Sequence, residues 1–166
     1  VILDLVGNFM TEATKSHVKV SSTVDTWSWT LKGPHGGKLT LYCKEILHTM
    51  TAAATNSITA AVPNGVCVLA FTGIVTEAST AHNTRTGMKY SLDLATDVVL
   101  STHTLTSYKM VAGTRFSATT TAATMPTQVV ADTDILIEAT GGSGNFVASG
   151  QVRLQIWYFF ISAPTH

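Results

Sequence analysis

The sequence predicts an all-β protein: a jelly-roll-like antiparallel β-sandwich of about 8–10 strands with little helix. Three observations carry this. Short runs rich in Thr, Val, Tyr and Phe recur along the whole chain, the residue types that suit a pleated, half-buried surface. Gly, Pro, Asn, Asp and Ser separate them at intervals of roughly ten to fifteen residues. Within the runs apolar and polar residues alternate, and helical periodicity is nearly absent. The 166 residues fit one domain spanning 1–166, with 1–12 as an N-terminal arm.

Taken in order, VILDLV (1–6) reads as a first strand, within an arm VILDLVGNFM that reaches a neighbour. HVKVSS, from 17, sets Val18 and Val20 opposite Lys19. TWSWTLK, from 26, places Trp27, Trp29 and Leu31 on one face and Ser28, Thr30 and Lys32 on the other, a strand with a dry side and a wet one. GPHGG (33–37) reads as a hairpin loop whose glycines allow positive φ. It leads into KLTLYCKEI, from 38, where Leu39, Leu41 and Cys43 share a face.

EILHTMTAAAT, from 45, is the one stretch allowed to be helical, although its threonines weaken a helix. PNG (63–65) is a turn into VCVLAFTGIVTE, from 66. The remaining strands are MKYSLDLAT from 88, DVVLS from 97, TLTSYKMV from 104, TRFSATTTA from 114, DILIEAT from 134 and QVRLQIWYFFI from 151. GGSGN (141–145) reads as a flexible hairpin tip between the last two. VCVLAF and WYFFI are apolar on both faces, yet a two-layer sandwich covers only one face of each strand. In the last strand the alternation holds from Gln151 to Ile156 and ends at Trp157.

Charged residues make up 12% of the chain, the formal net charge is zero and mean hydropathy is positive. Thr, Ser, Ala, Gly and Asn must therefore cover the surface, and so little electrostatic repulsion between copies favours assembly. The same neutrality argues against nucleic acid, because phosphate binding requires clustered Lys and Arg, and the 10 basic residues are scattered. Apolar runs reach only about six residues, so neither a membrane span nor a secretory leader is expected. Cys43 and Cys67 sit in apolar strands and read as buried free thiols, a disulfide between facing strands being the alternative.

Catalytic spacing is missing. His17, His35, His48, His82, His103 and His166 form no HxxxH, HExxH or HxH, and there is no GxSxG. Asp93 with Asp97 and Asp132 with Asp134 are the close carboxylate pairs, the first read as a wet strand face and the second as turn formers at a strand mouth. ADTD beside GGSGN also offers oxygen ligands for a structural Ca²⁺, without the DxDxDG spacing of a specific site. GGSGN lacks the GK[ST] ending of a phosphate cradle. The rings of Trp27, Trp29, Tyr90, Tyr108 and Trp157 alternate within strands, which assigns them to core or interface rather than to a sugar platform. The expectation is a protein that is not an enzyme, with no cofactor and no metal.

From Met125 onward, MPTQVVADTDILIEATGGSGNFVASGQVRLQIWYFF resembles the closing segment of many structural proteins of tailed bacteriophage particles. There a proline-led strand, a DTDI strand, a Gly/Ser/Ala-rich hairpin and a final alternating strand complete a jelly roll or related sandwich. The resemblance implies a virion protein made in the host cytoplasm and seated on the capsid surface, as a capsid decoration or cement subunit that reinforces the head. It also implies a homo-oligomer, a trimer before other states, whose partners are the major capsid protein or other virion proteins. Trp157, Phe159 and Phe160 are the expected interface residues, packing between subunits or between sheets, with Val1, Ile2 and Leu3 in the arm. The alternative is a receptor-binding or lectin-like head domain of a fibre or tail protein, contacting saccharide through His82, Asn83 and Arg85.

Overall fold

The computed structural model describes residues 12–33, 35–79, 84–107, 109–118, 126–146 and 148–162, so the expected first strand and arm, with Val1, Ile2 and Leu3, lie outside it, as does Tyr108. The strands are β1 (Glu12–Lys19), β2 (Val24–Lys32), β3 (Lys38–Thr49), β4 (Thr55–Val62), β5 (Cys67–Glu77), β6 (Gly87–Leu92), β7 (Val98–Thr104), β8 (Arg115–Ser117), β9 (Thr127–Gln128), β10 (Thr133–Thr140) and β11 (Gln151–Ser162).

They form two antiparallel sheets. The large one runs β1-β2-β3-β11-β5-β8, with β9 also on β5, and the small one runs β4-β10-β6-β7. The order β3-β11-β5-β8 facing β4-β10-β6-β7 is the double wrapping of a jelly roll, so the expected all-β sandwich is what forms. The hairpin β1–β2 extends the large sheet beyond it, and β1 is an edge strand paired with β2 alone.

The core lies between the sheets. Phe71 and Val75 of β5 and Val152, Leu154 and Ile156 of β11 pack towards Met88, Tyr90 and Leu92 of β6 and Ile135 and Ile137 of β10. At the β7–β8 end an aromatic stack bridges the layers: Tyr90 and Phe116 have centroids 4.3 Å apart, and His103 lies 5.1 Å from Phe116. Gly73 makes room for it, since a Cβ there would stand 2.3 Å from the Phe116 ring and 3.1 Å from Leu154 Cδ2. The strand interior therefore needs glycine for close approach rather than for φ.

Several local expectations change. The stretch from 45 is not helical: β3 continues to Thr49, and after a short turn β4, which the sequence reading missed, begins at Thr55. Asn56 organises that turn, its Oδ1 accepting from the N–H of Thr51 at 2.7 Å and from the Thr51 hydroxyl at 2.8 Å. Alternation of Ile46 and His48 with Glu45 and Leu47 is a strand pattern that the alanines obscure. TLTSYKMV is not a strand beyond Thr104, because Ser107 takes φ +50 in a turn closed by the Thr106–Lys109 bridge. GGSGN is no hairpin tip, since β10 and β11 belong to different sheets and the segment crosses between them. Val18 and Val20 are exposed, at 54% and 65%, because the overhanging hairpin reaches past the small sheet.

Two outcomes follow. Gly73→Val should push Phe116 out of its stack and cost about 1–3 kcal/mol in urea unfolding, with Gly113→Val, in open space but at φ +86, strained only in its own turn. Burial pushes the His103 imidazole from its ordinary 6.5 down to about 4, and burial also lowers His48. The unfolded chain then takes up the proton first, so stability is full above about pH 6.5 and declines as pH falls towards about 4. His103→Phe, which keeps a ring in the stack, should flatten that decline in unfolding titrations across the window.

Candidate functional site

The dry side of β2 faces away from the core. Ser28 and Thr30 share the inward side of the large sheet with Thr40 and Tyr42 of β3, while Trp27, Trp29 and Leu31 stand on its outer surface. Register then aligns three apolar rows across that surface: Leu31, Leu39 and Ile161; Trp29, Leu41, Phe159 and Cys67; and Trp27, Cys43, Trp157 and Ala70. A bulge in β5 between the partners of Trp157 and Tyr158 adds Leu69, which is 38% exposed. Trp29, Leu31, Leu39, Leu41, Leu69, Phe159 and Ile161 line a shallow groove of about 520 Å³ without one polar side chain.

Aromatic contacts knit these rows together. The Trp29 and Trp157 rings stack with centroids 5.8 Å apart, and His17 stacks on Trp27 at 3.8 Å. Lys15 Nζ lies 5.0 Å from the Trp27 centroid, a cation over an indole face. His17 Nε2 also stands 3.4 Å from Asp25 Oδ1, an electrostatic contact without hydrogen-bond geometry. Cys43, between Trp27 and Trp157 in their row, is 5% exposed although it points away from the core. Burial, with the Glu45 carboxylate second, pushes its thiol up.

Beyond the Trp157 row the same surface turns polar, in the rows Asp25, Glu45, Gln155, Thr72, Ser117 and Leu47, Arg153, Ile74, Arg115. Glu45 accepts from Arg153 and, at 2.9 Å, from Gln155 Nε2. Burial alone would raise the Glu45 carboxyl, but the bonds from Gln155 and Arg153 outweigh it and hold it below its ordinary value. The small sheet presents a different outer face, with the Lys89–Glu138 ion pair at 2.6 Å and Ser91 within 3.4 Å of the same carboxylate.

The expected interface residues separate. Trp157 and Phe159 lie on the outer face, but Phe160 points the other way, 42% exposed at the end of the strand, where its ring would lie 3.7 Å from a Cβ on Gly65. Alternation does not stop at Trp157: Tyr158 stays buried and stacks on Tyr42 at 5.1 Å, and only the chemistry of the outward row changes. Leu39 and Leu41 were legible as one face in the sequence; that this face points outward was not, and Leu69, Ile161 and Arg115 went unmarked.

Of the saccharide candidates, His82 and Asn83 lie outside the described residues, and Arg85 donates to the carbonyls of Gly144 at 2.7 Å and Gly142 at 3.0 Å, tying down the crossover loop. Asp93 and Asp97 are exposed at the two ends of the β6–β7 connection. Asp132 accepts from the N–H of Asn64 at 2.8 Å, and Asp134 accepts from the Ser57 hydroxyl at 2.7 Å and the N–H of Ala60 at 2.8 Å. Asp134 thus stitches β4 to β10 and Asp132 ties the turn after β4 to the segment before β10, while Asp134 holds Ala60 at φ +47, a conformation that disfavours a side chain. Among the described residues no three His, Cys, Asp or Glu side chains come together to hold a metal ion. Cys43 and Cys67 are free thiols, Cys43 buried and Cys67 only partly so.

The fold class is therefore a jelly-roll-like sandwich with one apolar outer face. No protein-family model matches the chain, and no curated protein matches it. Among solved structures it is similar to an arabinose-bound α-L-arabinofuranosidase (MgGH51) at 9% identity and a TM-score of 0.27, covering 93% of this chain and 23% of that one. The chain thus spans less than a quarter of that enzyme, and a likeness so slight carries no conclusion.

If Asp134 is a structural tie, Asp134→Ala should cost about 1–3 kcal/mol in chemical unfolding, because the Ala60 amide and Ser57 hydroxyl lose their acceptor. Asp97→Ala, at an exposed loop position, should leave the unfolding midpoint unchanged.

Proposed function

We propose that this chain is a structural subunit of a particle, of the capsid decoration or cement kind, which packs against neighbouring copies through the outer face of its large sheet. The wholly apolar groove lined by Trp29, Leu31, Leu39, Leu41, Leu69, Phe159 and Ile161 supports this reading. A contiguous apolar surface rimmed by polar residues is characteristic of a surface that meets another protein. Burying it would contribute about 25 cal/mol per Å² removed from water, from which association entropy is subtracted. Zero net charge removes the repulsion that keeps free monomers apart. The resemblance of the closing segment to phage structural proteins adds the setting: a homotrimer on the virion surface, with the major capsid protein beneath it.

Sedimentation equilibrium tests the association. The wild-type chain should sediment as an oligomer, and Leu69→Glu and Phe159→Asp, both on the groove, should sediment as monomers with unchanged circular dichroism. A wild-type monomer at high micromolar concentration, or variants that keep the wild-type mass, would overturn the proposal.

A further inference from the structure

We propose that the polar end of the same face is a binding site for an acidic saccharide, with the carboxylate of a uronate unit held by Arg115. A groove of about 460 Å³ lies there, bounded by the outward side chains of Thr72, Ile74, Arg115, Ser117, Arg153 and Gln155. Its volume is that of a small-molecule site. Arg153 and Arg115 flank Ile74 in one cross-strand row, so their backbones stand two strand spacings, about 9.6 Å, apart.

The two guanidiniums differ in their commitments. Arg153 is paired with Glu45, which also holds Gln155, so both are fixed before any ligand arrives. Arg115, exposed on β8, has no ion-pair partner among the described residues. Glu45 is committed to Arg153, and Asp25, the next carboxylate in its row, stands beside His17, so among the described residues the Arg115 guanidinium is left without a carboxylate. A guanidinium offers a planar fork of donors that matches a carboxylate in two parallel hydrogen bonds. The Thr72 and Ser117 hydroxyls and the Gln155 amide suit ring hydroxyls, Ile74 supplies an apolar floor for a C–H face, and Trp157 follows Gln155 on the same side of β11.

Thr72 to Ile74 are hydrogen-bonded to β11 on one side and, on the other, to β8, the edge strand that carries Arg115 and Ser117. The Ser117 carbonyl on that strand already accepts from the Ser101 hydroxyl at 2.6 Å, so an extended peptide adding to this edge would find it partly engaged. This site shares no lining residue with the self-association groove, which draws on the apolar rows at the other end of the same face, although a neighbouring copy seated there could reach over it.

Calorimetric titration with trigalacturonic acid tests it, using wild-type protein, Arg115→Gln, the exposed-lysine control Lys109→Gln, and the monomer-directed Leu69→Glu. Saturable binding is expected, weakened about tenfold or more by Arg115→Gln, unchanged by Lys109→Gln, and weakened when the ligand's carboxylates are methyl-esterified. Binding by Leu69→Glu but not by wild type would still support the site and place a neighbouring copy over it. No binding by either protein, equal binding of the methyl ester, an unaffected Arg115→Gln, or inorganic sulfate binding as tightly as the saccharide would overturn it.

Discussion

The pleat of β11 governs the rest of the molecule. This strand is hydrogen-bonded on both sides, to β3 along all twelve residues and to β5 over most of them, so its register has no freedom. A slip by one residue would bury Arg153 and Gln155 and expose Leu154 and Ile156, reversing every side chain at once. With the register fixed, Val152, Leu154, Ile156 and Tyr158 complete the core, and Arg153, Gln155, Trp157, Phe159 and Ile161 are set on the opposite surface. The sandwich and its outer face are thus two sides of one strand's geometry.

That arrangement yields a sheet with graded chemistry. Along β11 the outward residues pass from arginine and glutamine to tryptophan, phenylalanine and isoleucine, and β2 and β3 pass in parallel from Asp25 and Glu45 to Leu31 and Leu39. At the boundary between the two ends the hairpin brings Lys15 and His17 to the indole of Trp27. A face of this kind sits easily against a second protein surface, whereas the small sheet keeps its ion pair Lys89–Glu138 towards water.

Much of the fold was legible in the sequence because strand alternation and turn residues are local signals. Trp27, Trp29 and Leu31 were correctly grouped, and GPHGG was correctly a hairpin loop, its Gly33 amide donating to Gly37 at 2.8 Å and Gly36 at φ +80. What alternation cannot state is which side of a sheet the partner layer occupies. That depends on pairing between strands far apart in the chain, such as Trp157 with Cys43. For this reason the dry side of β2 was recognised but not its outward direction. Arg115 was illegible for the same reason, since it acquires Arg153 and Thr72 as near neighbours only through β5. β4 was missed because TNSITAAV resembles a connection until Asn56 and Asp134 anchor it.

Cys43 gives the outer face a chemical clock. Alkylating reagents attack the thiolate, and a thiol raised by burial supplies little of it. Because this sulfur is buried on the outside of the sandwich, in the row between Trp27 and Trp157, it becomes reactive when those rings part, with the two sheets still joined. Its labelling therefore has a route through opening of the aromatic surface, in addition to global unfolding, and labelling faster than unfolding permits would report that local opening.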